Sequence, residues 1–157
     1  MTGVTRIARL DALPGDLDAL TAESEADGLR FVRKLADEWA SGVNRFARDG
    51  EALFAAWTDD RLAGVCGLNV DPYTAASGVG RVRHLYVRHD HRGRGIGGAL
   101  VRAVLEAARG RFQTLRLSTG NPAAARLYET LGFARRDASD CTHVLTLAAS
   151  PSRTAAS

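Results

Sequence analysis

At 157 residues the chain is long enough for one hydrophobic core and too short for two. Hydrophobic residues make up 45% of it and charged residues 25%, with a formal charge of +3; no run approaches the roughly 20 apolar residues of a membrane span. The first ten residues lack a signal peptide's apolar core, and Cys66 and Cys141 stand far apart with no CxxC motif, so two buried thiols in a reducing, cytoplasmic compartment are expected.

In chain order, Thr5 to Leu10 reads as a short strand. Pro14, Leu17, Leu20 and the Ala- and acid-rich run to Asp27 read as a first helix. Phe31, Leu35 and Trp39 recur at helical spacing and predict a second helix ending near Gly42. Ala52 to Trp57 and Leu62 to Val70 are strand-like, joined by the polar hairpin Thr58-Asp59-Asp60-Arg61. A loop with Asp71, Pro72, Tyr73 and Gly78 precedes a strand from Val82 to Val87. Regular alternation puts Val82, His84 and Tyr86 on one face of that strand and Arg83, Leu85 and Val87 on the other.

Ile96, Leu100, Val101, Val104, Leu105 and Ala108 pattern a long helix stopped at Gly110. Leu115 to Leu117 reads as a buried strand. Asn121-Pro122 starts another helix, because Asn caps and Pro at the first position has no N–H to leave unpaired. That helix ends at Leu131-Gly132, and Cys141 to Leu147 completes the sheet. The predicted order is β-α-α-β-β-β-α-β-α-β: an α/β domain over residues 1–148, with 149–157 expected to be a disordered tail.

Charge is unevenly spread. Arg81, Arg83, Arg88, Arg92 and Arg94, with His84, His89 and His91, surround a single acid, Asp90. Such a cluster suits a polyanion, but Tyr86 is its only aromatic, so no stacking platform for a nucleic acid exists. A phosphate-bearing small molecule fits better. No metal, nucleic acid or membrane partner is expected, and a second copy of the chain is left open as a partner.

The turn Arg92-Gly93-Arg94-Gly95-Ile96-Gly97-Gly98 lies between a strand and a helix. Glycines let backbone approach a ligand, and the first helical turn offers unpaired N–H groups and the positive dipole end, together an anion site. A Walker loop is excluded because Ala99 and Leu100 follow Gly98 where Lys and Ser/Thr would be required. Gly93, Gly95 and Gly98 satisfy G-x-G-x-x-G, but Arg88 to Arg92 separate them from the strand and the next strand ends in Ser118-Thr119 instead of a ribose-binding acid.

The run Arg92 to Gly97 resembles the R/Q-x-x-G-x-G/A signature of the GNAT superfamily of acyl-CoA-dependent N-acyltransferases. LYVRHDHRGRGIGGAL resembles that family's fourth strand, pyrophosphate loop and third helix, and LRLSTGNPAAARLYETLGF its fifth strand and fourth helix, so the likeness runs from about Val79 to Phe133. The resemblance implies a mixed, mostly antiparallel sheet with helices on both faces, and acetyl transfer from acetyl-CoA to a primary amine of a small molecule or peptide by direct attack. It implies that backbone amides of Arg92, Gly93, Arg94, Gly95, Ile96, Gly97 and Gly98 hold the coenzyme A diphosphate. Leu85, Tyr86 and Val87 would pair with the pantetheine arm, the Leu85 amide would polarise the thioester carbonyl, and Asn121 would meet the arm. Tyr128 would be the general acid near the sulfur.

One position departs from the family. Many members carry a glutamate six residues before the position of Val87, as the amine's base; here it is Arg81, which cannot accept a proton. Deprotonation then falls to another group, such as His84 or Asp71 through a water, or to bulk solvent. If Arg81 and Arg83 face the acceptor, they favour an amine of low pKa that carries an anionic group. Asp71 and Tyr73, with Trp39 and Phe46, are the expected neighbours of that pocket. A coenzyme A-binding sensor that performs no transfer is the alternative that Arg81 keeps alive.

Overall fold

The computed structural model describes residues 4–147; the expected tail lies outside them. Seven strands form one sheet in the order β1-β2-β3-β4-β5-β7-β6, where β1 is Thr5–Arg9, β2 Ala52–Thr58, β3 Arg61–Val70, β4 Val79–Val87, β5 Thr114–Leu117, β6 Ala134–Ala138 and β7 Cys141–Thr146. Helices are α1 (Leu17–Ala26), α2 (Phe31–Ser41), α3 (Ile96–Ala108) and α4 (Pro122–Thr130). Every pairing is antiparallel except β4 with β5.

The sheet separates two apolar layers. On one side α3 and α4 bury Leu100, Val101, Val104 and Tyr128 against Cys66, Leu68, Val82, Leu115 and Leu117. On the other, α1 and α2 bury Leu17, Leu20, Val32 and Leu35 against Leu53, Val65 and Tyr86. The expected α/β architecture is therefore the observed one. Local chemistry sets its boundaries. Asp59 and Asp60 both take positive φ (49° and 66°) between the paired Thr58 and Arg61, the two-residue turn that matches strand twist. The Asn121 side chain accepts from the amides of Ala123 (2.8 Å) and Ala124 (3.2 Å), with Pro122 at the first helical position.

Two expectations are corrected. A strand, β6, lies between α4 and β7; its sequence ARRDA is exposed throughout at the sheet edge, so it has no apolar alternation to announce it. The regular alternation of β4 also fails. Gly67 pairs with Arg83 but Val65 with Tyr86, so Cys66 alone faces both His84 and Leu85. This bulge, with His84 at φ +62°, moves Val82 to the α3 layer while Tyr86 packs against α1 and α2.

β4 and β5 pair at only three rungs: Val79 with Thr114, Gly80 with Leu115 and Arg81 with Arg116. At the last rung two guanidinium groups stand side by side. The fully buried Asp71 carboxylate bridges them, 3.3 Å from Arg81 and 3.1 Å from Arg116, and Asp140 closes the network 2.7 Å from Arg116. Beyond this rung β4 runs six more residues, to Val87, without β5 as a partner.

Removing one member of a buried charge network leaves its partners uncompensated, at a cost of about 3–5 kcal/mol. Asp71→Ala should therefore lower Tm by roughly 6–20 °C in differential scanning calorimetry. A variant melting within 2 °C of the parent, roughly the shift expected from under 1 kcal/mol, would contradict the bridging role.

Candidate active site

Where β4 and β5 part, a cleft of about 1060 Å³ opens. One end is built by the glycine turn. Gly93 and Gly95 take φ of +80° and +79°, and a Cβ at either would meet nothing within 4 Å. The requirement for glycine there is thus conformational, not steric crowding. Ala99 makes the first helical hydrogen bond, to the Gly95 carbonyl at 3.0 Å. The amides of Gly95, Ile96, Gly97 and Gly98 consequently have no hydrogen-bond acceptor among the described residues, and they sit at the positive end of the α3 dipole. Gly97 also marks where α3 meets α4: a Cβ there would lie 3.3 Å from Leu127.

Arg92 fixes this turn to the end of β4. Its Nε donates to the Val87 carbonyl at 2.9 Å and its guanidinium lies over the Tyr86 ring, 5.3 Å from the centroid. The Tyr86 hydroxyl donates to Glu23 at 2.6 Å, toward α1; burial and that carboxylate hold the phenol well above its ordinary value. The expected site residues Leu85, Tyr86, Val87, Arg92, Gly93, Gly95, Ile96, Gly97, Gly98, Asn121 and Tyr128 all line the cleft, and Arg94 does not.

Tyr128 reaches the middle of this arrangement from α4. Its ring packs edge-on against Phe133, centroids 5.5 Å apart, and it is buried. Loss of solvent raises its pKa well above the usual tyrosine value, with the nearby Cys66 acting in the same direction, so it stays a neutral O–H donor.

The other end of the cleft is cationic. Lys34, Arg81 and Arg83 line it beside Leu29, Phe31 and Tyr73, and among the described residues no aspartate or glutamate lines the cleft. Arg81 is already engaged: besides Asp71 it donates to the Ser118 hydroxyl at 2.9 Å and stacks on Tyr73, 4.5 Å from the ring centroid. Asp71 lies under the surface, its side chain buried between two arginines and also accepting from the Tyr73 amide at 2.7 Å. It holds Arg81 and Arg116 and is not among the residues lining the cleft. Phe46 is buried behind the cleft, packing on Trp39 and His84, and neither Phe46 nor Trp39 lines it.

His84 is the unusual residue. It is 8% exposed, holds a left-handed backbone conformation, and both ring nitrogens lack a hydrogen-bond partner among the described residues. Phe31 and Phe46 wall the ring at centroid distances of 6.5 and 6.2 Å. A non-glycine residue at such φ costs about 1–3 kcal/mol, and an unpaired buried polar group a similar amount. Burial, reinforced by Arg83 and Lys34, lowers its pKa to about 3, so the imidazole is neutral at ordinary pH.

The sequence reading missed Lys34, Ser118 and Arg116. Phe31 and Lys34 stand three residues apart on α2, which puts them on one helix face, and Arg116 is the lone charge of its strand, between two leucines. Neither signal alone separates a cleft residue from a surface one.

Comparison with known proteins gives a consistent picture. The Acetyltransferase (GNAT) family model matches residues 18–133. Human N-acetyltransferase 8B is 38% identical over 88 residues, covering 54% of this chain and 39% of that protein; human N-acetyltransferase 8 is 35% identical over a stretch of the same length. The match thus spans about two-fifths of the length of these curated relatives. Among solved structures, a candidate acetyltransferase from Exiguobacterium sp. 255-15 superposes with a TM-score of 0.81 at 26% identity, covering 91% of this chain and 93% of that one. Ribosomal-protein-alanine N-acetyltransferase from Brucella melitensis shares the fold, with a TM-score of 0.66 at 21% identity over 90% of this chain and 99% of that one.

The environment of His84 makes stability depend on pH. The unfolded chain takes up a proton at His84 near pH 6.5 and the folded one only near 3, so this group withdraws stability as pH falls between those values. His84→Gln should flatten the stability profile relative to the parent by at most ~1.4 kcal/mol per pH unit between about pH 6 and 4. Urea unfolding across that range measures it; superimposable slopes would mean the imidazole is solvated.

Proposed function

The chain belongs to the acetyltransferase (GNAT) family, whose general reaction is acetyl transfer from acetyl-CoA, and on that premise we propose that it acetylates a primary amine of a small molecule or peptide by direct attack in a ternary complex. The observation that carries the reading is the continuity of the cleft. Four unpaired amides, a strand edge without a neighbour and a neutral phenol all line the same space.

The residues suit the donor. Amides of Gly95 to Gly98 offer hydrogen bonds to a diphosphate, with the α3 dipole adding attraction. The free edge of β4 at Leu85 to Val87 offers backbone pairing to an extended amide-bearing arm, as an added strand would be bound. When bound, acetyl-CoA supplies an activated acyl carbon and a thiolate leaving group. The Leu85 amide, displaced by the bulge from regular pairing, is assigned to the carbonyl oxygen, whose negative charge grows as the amine adds. Tyr128 donates its hydrogen bond to the departing sulfur. A thiol titrates near ~8.5 and an ordinary tyrosine near ~10, so the phenol assists by hydrogen bonding and partial proton transfer.

Direct attack is favoured over an acyl-enzyme route. Cys66 and Cys141 are buried and do not line the cleft, and burial pushes the Cys66 thiol up to about 12. The Ser118 hydroxyl accepts from Arg81 and has no base beside it. With no carboxylate in the cleft, the acceptor amine gives its proton to water. A lysine-like amine near ~10.4 is neutral about one part in a thousand near pH 7.4, whereas an α-amino group near ~7.7–8.0 is neutral for roughly a fifth to a third of the time. The same lack of a carboxylate favours the second reading, a coenzyme A-binding sensor.

Following free thiol with acetyl-CoA and a panel of amino acids, aminoglycosides, polyamines and peptides separates the two. Amine-dependent thiol release is expected; tight acetyl-CoA binding with no release above buffer would favour the sensor. Tyr128→Phe should lower kcat by about 10²-fold, the low end for a general acid because a thiolate leaves readily, with Kd for acetyl-CoA within a factor of about two, as the phenol acts on charge that develops only in the transition state. Full retained kcat would remove Tyr128 from the chemistry.

A further inference from the structure

Resting on the acetyl-transfer reading, we infer that the acceptor carries a carboxylate on the carbon next to its primary amine, with the carboxylate held by Lys34 and Arg83 and the amine hydrogen-bonded to His84. Three independent features of the acceptor end of the cleft lead there: an unpartnered imidazole, two cations that the fold holds loosely or not at all, and the absence of any lining acid among the described residues.

His84 is more than nine-tenths buried and is among the residues lining the cleft, and its two ring nitrogens, themselves shielded beneath the cleft surface, have no partners among the described residues, so a ligand meets them through a turn of the ring. The rings of Phe31 and Phe46 that wall it offer neither nitrogen a hydrogen bond, and the nearby Phe31 backbone, which favours the charged ring slightly, does not reach hydrogen-bond geometry. A neutral imidazole presents one donor and one acceptor, and the acceptor nitrogen suits an amine N–H. The strained backbone at φ +62° holds that ring at the bulge immediately before Leu85, the residue assigned to the thioester oxygen.

The cations differ in availability. Arg81 is committed to Asp71, Ser118 and Tyr73. Arg83 has no acid within ion-pair distance among the described residues, and Lys34 has only a loose contact with the half-buried Glu38 at 4.0 Å, one turn along α2. Both lie close enough to His84 to depress its protonation. Arg83 and His84 line the same cleft and Arg83 acts on the His84 ring electrostatically, so one compact ligand is able to meet both. An amine and a carboxylate on one carbon give that compactness. Pairing the carboxylate with two cations also removes its hold on the ammonium proton, which lowers the amine's pKa in a cleft that offers no carboxylate base.

The test compares, for several side chains, an α-amino acid with its amide and with the decarboxylated amine, and adds a phosphoalkylamine. Acetyl-CoA binding is measured separately by calorimetry. The amide's amine is the more easily deprotonated, so chemistry alone favours the amide; recognition should reverse this, with kcat/KM at least about 100-fold higher for the acid. Arg83→Gln and Lys34→Gln should each collapse that preference by tenfold or more through KM, without changing Kd for acetyl-CoA. His84→Leu should raise KM and lower kcat, and His84→Gln, which keeps a hydrogen-bonding group, should recover part of both. Thermal melts establish that each variant is folded, and Arg83→Gln and Lys34→Gln keep the test sharp if His84→Leu is not. If acetyl-CoA binds but acid and amide react alike, or the phosphoalkylamine is preferred, the inference falls and the transferase reading stands. A preference untouched by Arg83→Gln and Lys34→Gln overturns the assigned residues. If acetyl-CoA does not bind, both readings fall together.

Discussion

Arg81 and Arg116 stand side by side on the last rung joining β4 to β5, and the buried Asp71 carboxylate between them is what allows two cations to occupy it. Like charges directly opposite on neighbouring strands repel, so this rung holds only while its bridge does. Beyond it the strands diverge, and the edge of β4 is left open along its C-terminal half. The cleft, its strand edge and its cationic end all begin there. A position where a base would be expected carries instead a side chain that Asp71, Ser118 and Tyr73 hold in place.

The bulge in β4 supplies the second constraint. Placing His84 and Leu85 opposite the single residue Cys66 reverses the faces of the strand partway along. Val82 can then serve the α3 layer while Tyr86 serves the α1–α2 layer, and the displaced segment faces the cleft. Backbone strain and an unpaired imidazole are concentrated at this one point. Cores do not leave such groups unpaired without cause, which is why the acceptor chemistry is read from His84 outward.

Much of this was legible in the sequence where local chemistry decides structure. The Asn121-Pro122 cap, the Asp59-Asp60 turn and the glycines before α3 each require one backbone conformation, and the structure has it. What stayed hidden is set by distant partners. Val-Arg-His-Leu-Tyr-Val reads as a regular strand, and only the register against β3 reveals the bulge. Asp71-Pro72-Tyr73 reads as a surface turn, although Asp71 is buried by arginines ten and forty-five positions away. β6 is polar on both faces because it lies exposed at the edge, so no pattern of burial could announce it.

The central claim is that amides at the start of α3 hold a diphosphate while the open edge of β4 holds the arm attached to it. A crystal structure of the protein with acetyl-CoA measures this directly. The account predicts diphosphate oxygens within hydrogen-bond distance of the amides of Gly95 to Gly98, and the thioester beside Leu85 with its sulfur facing Tyr128. Acetyl-CoA bound elsewhere, with those amides facing solvent, would contradict it.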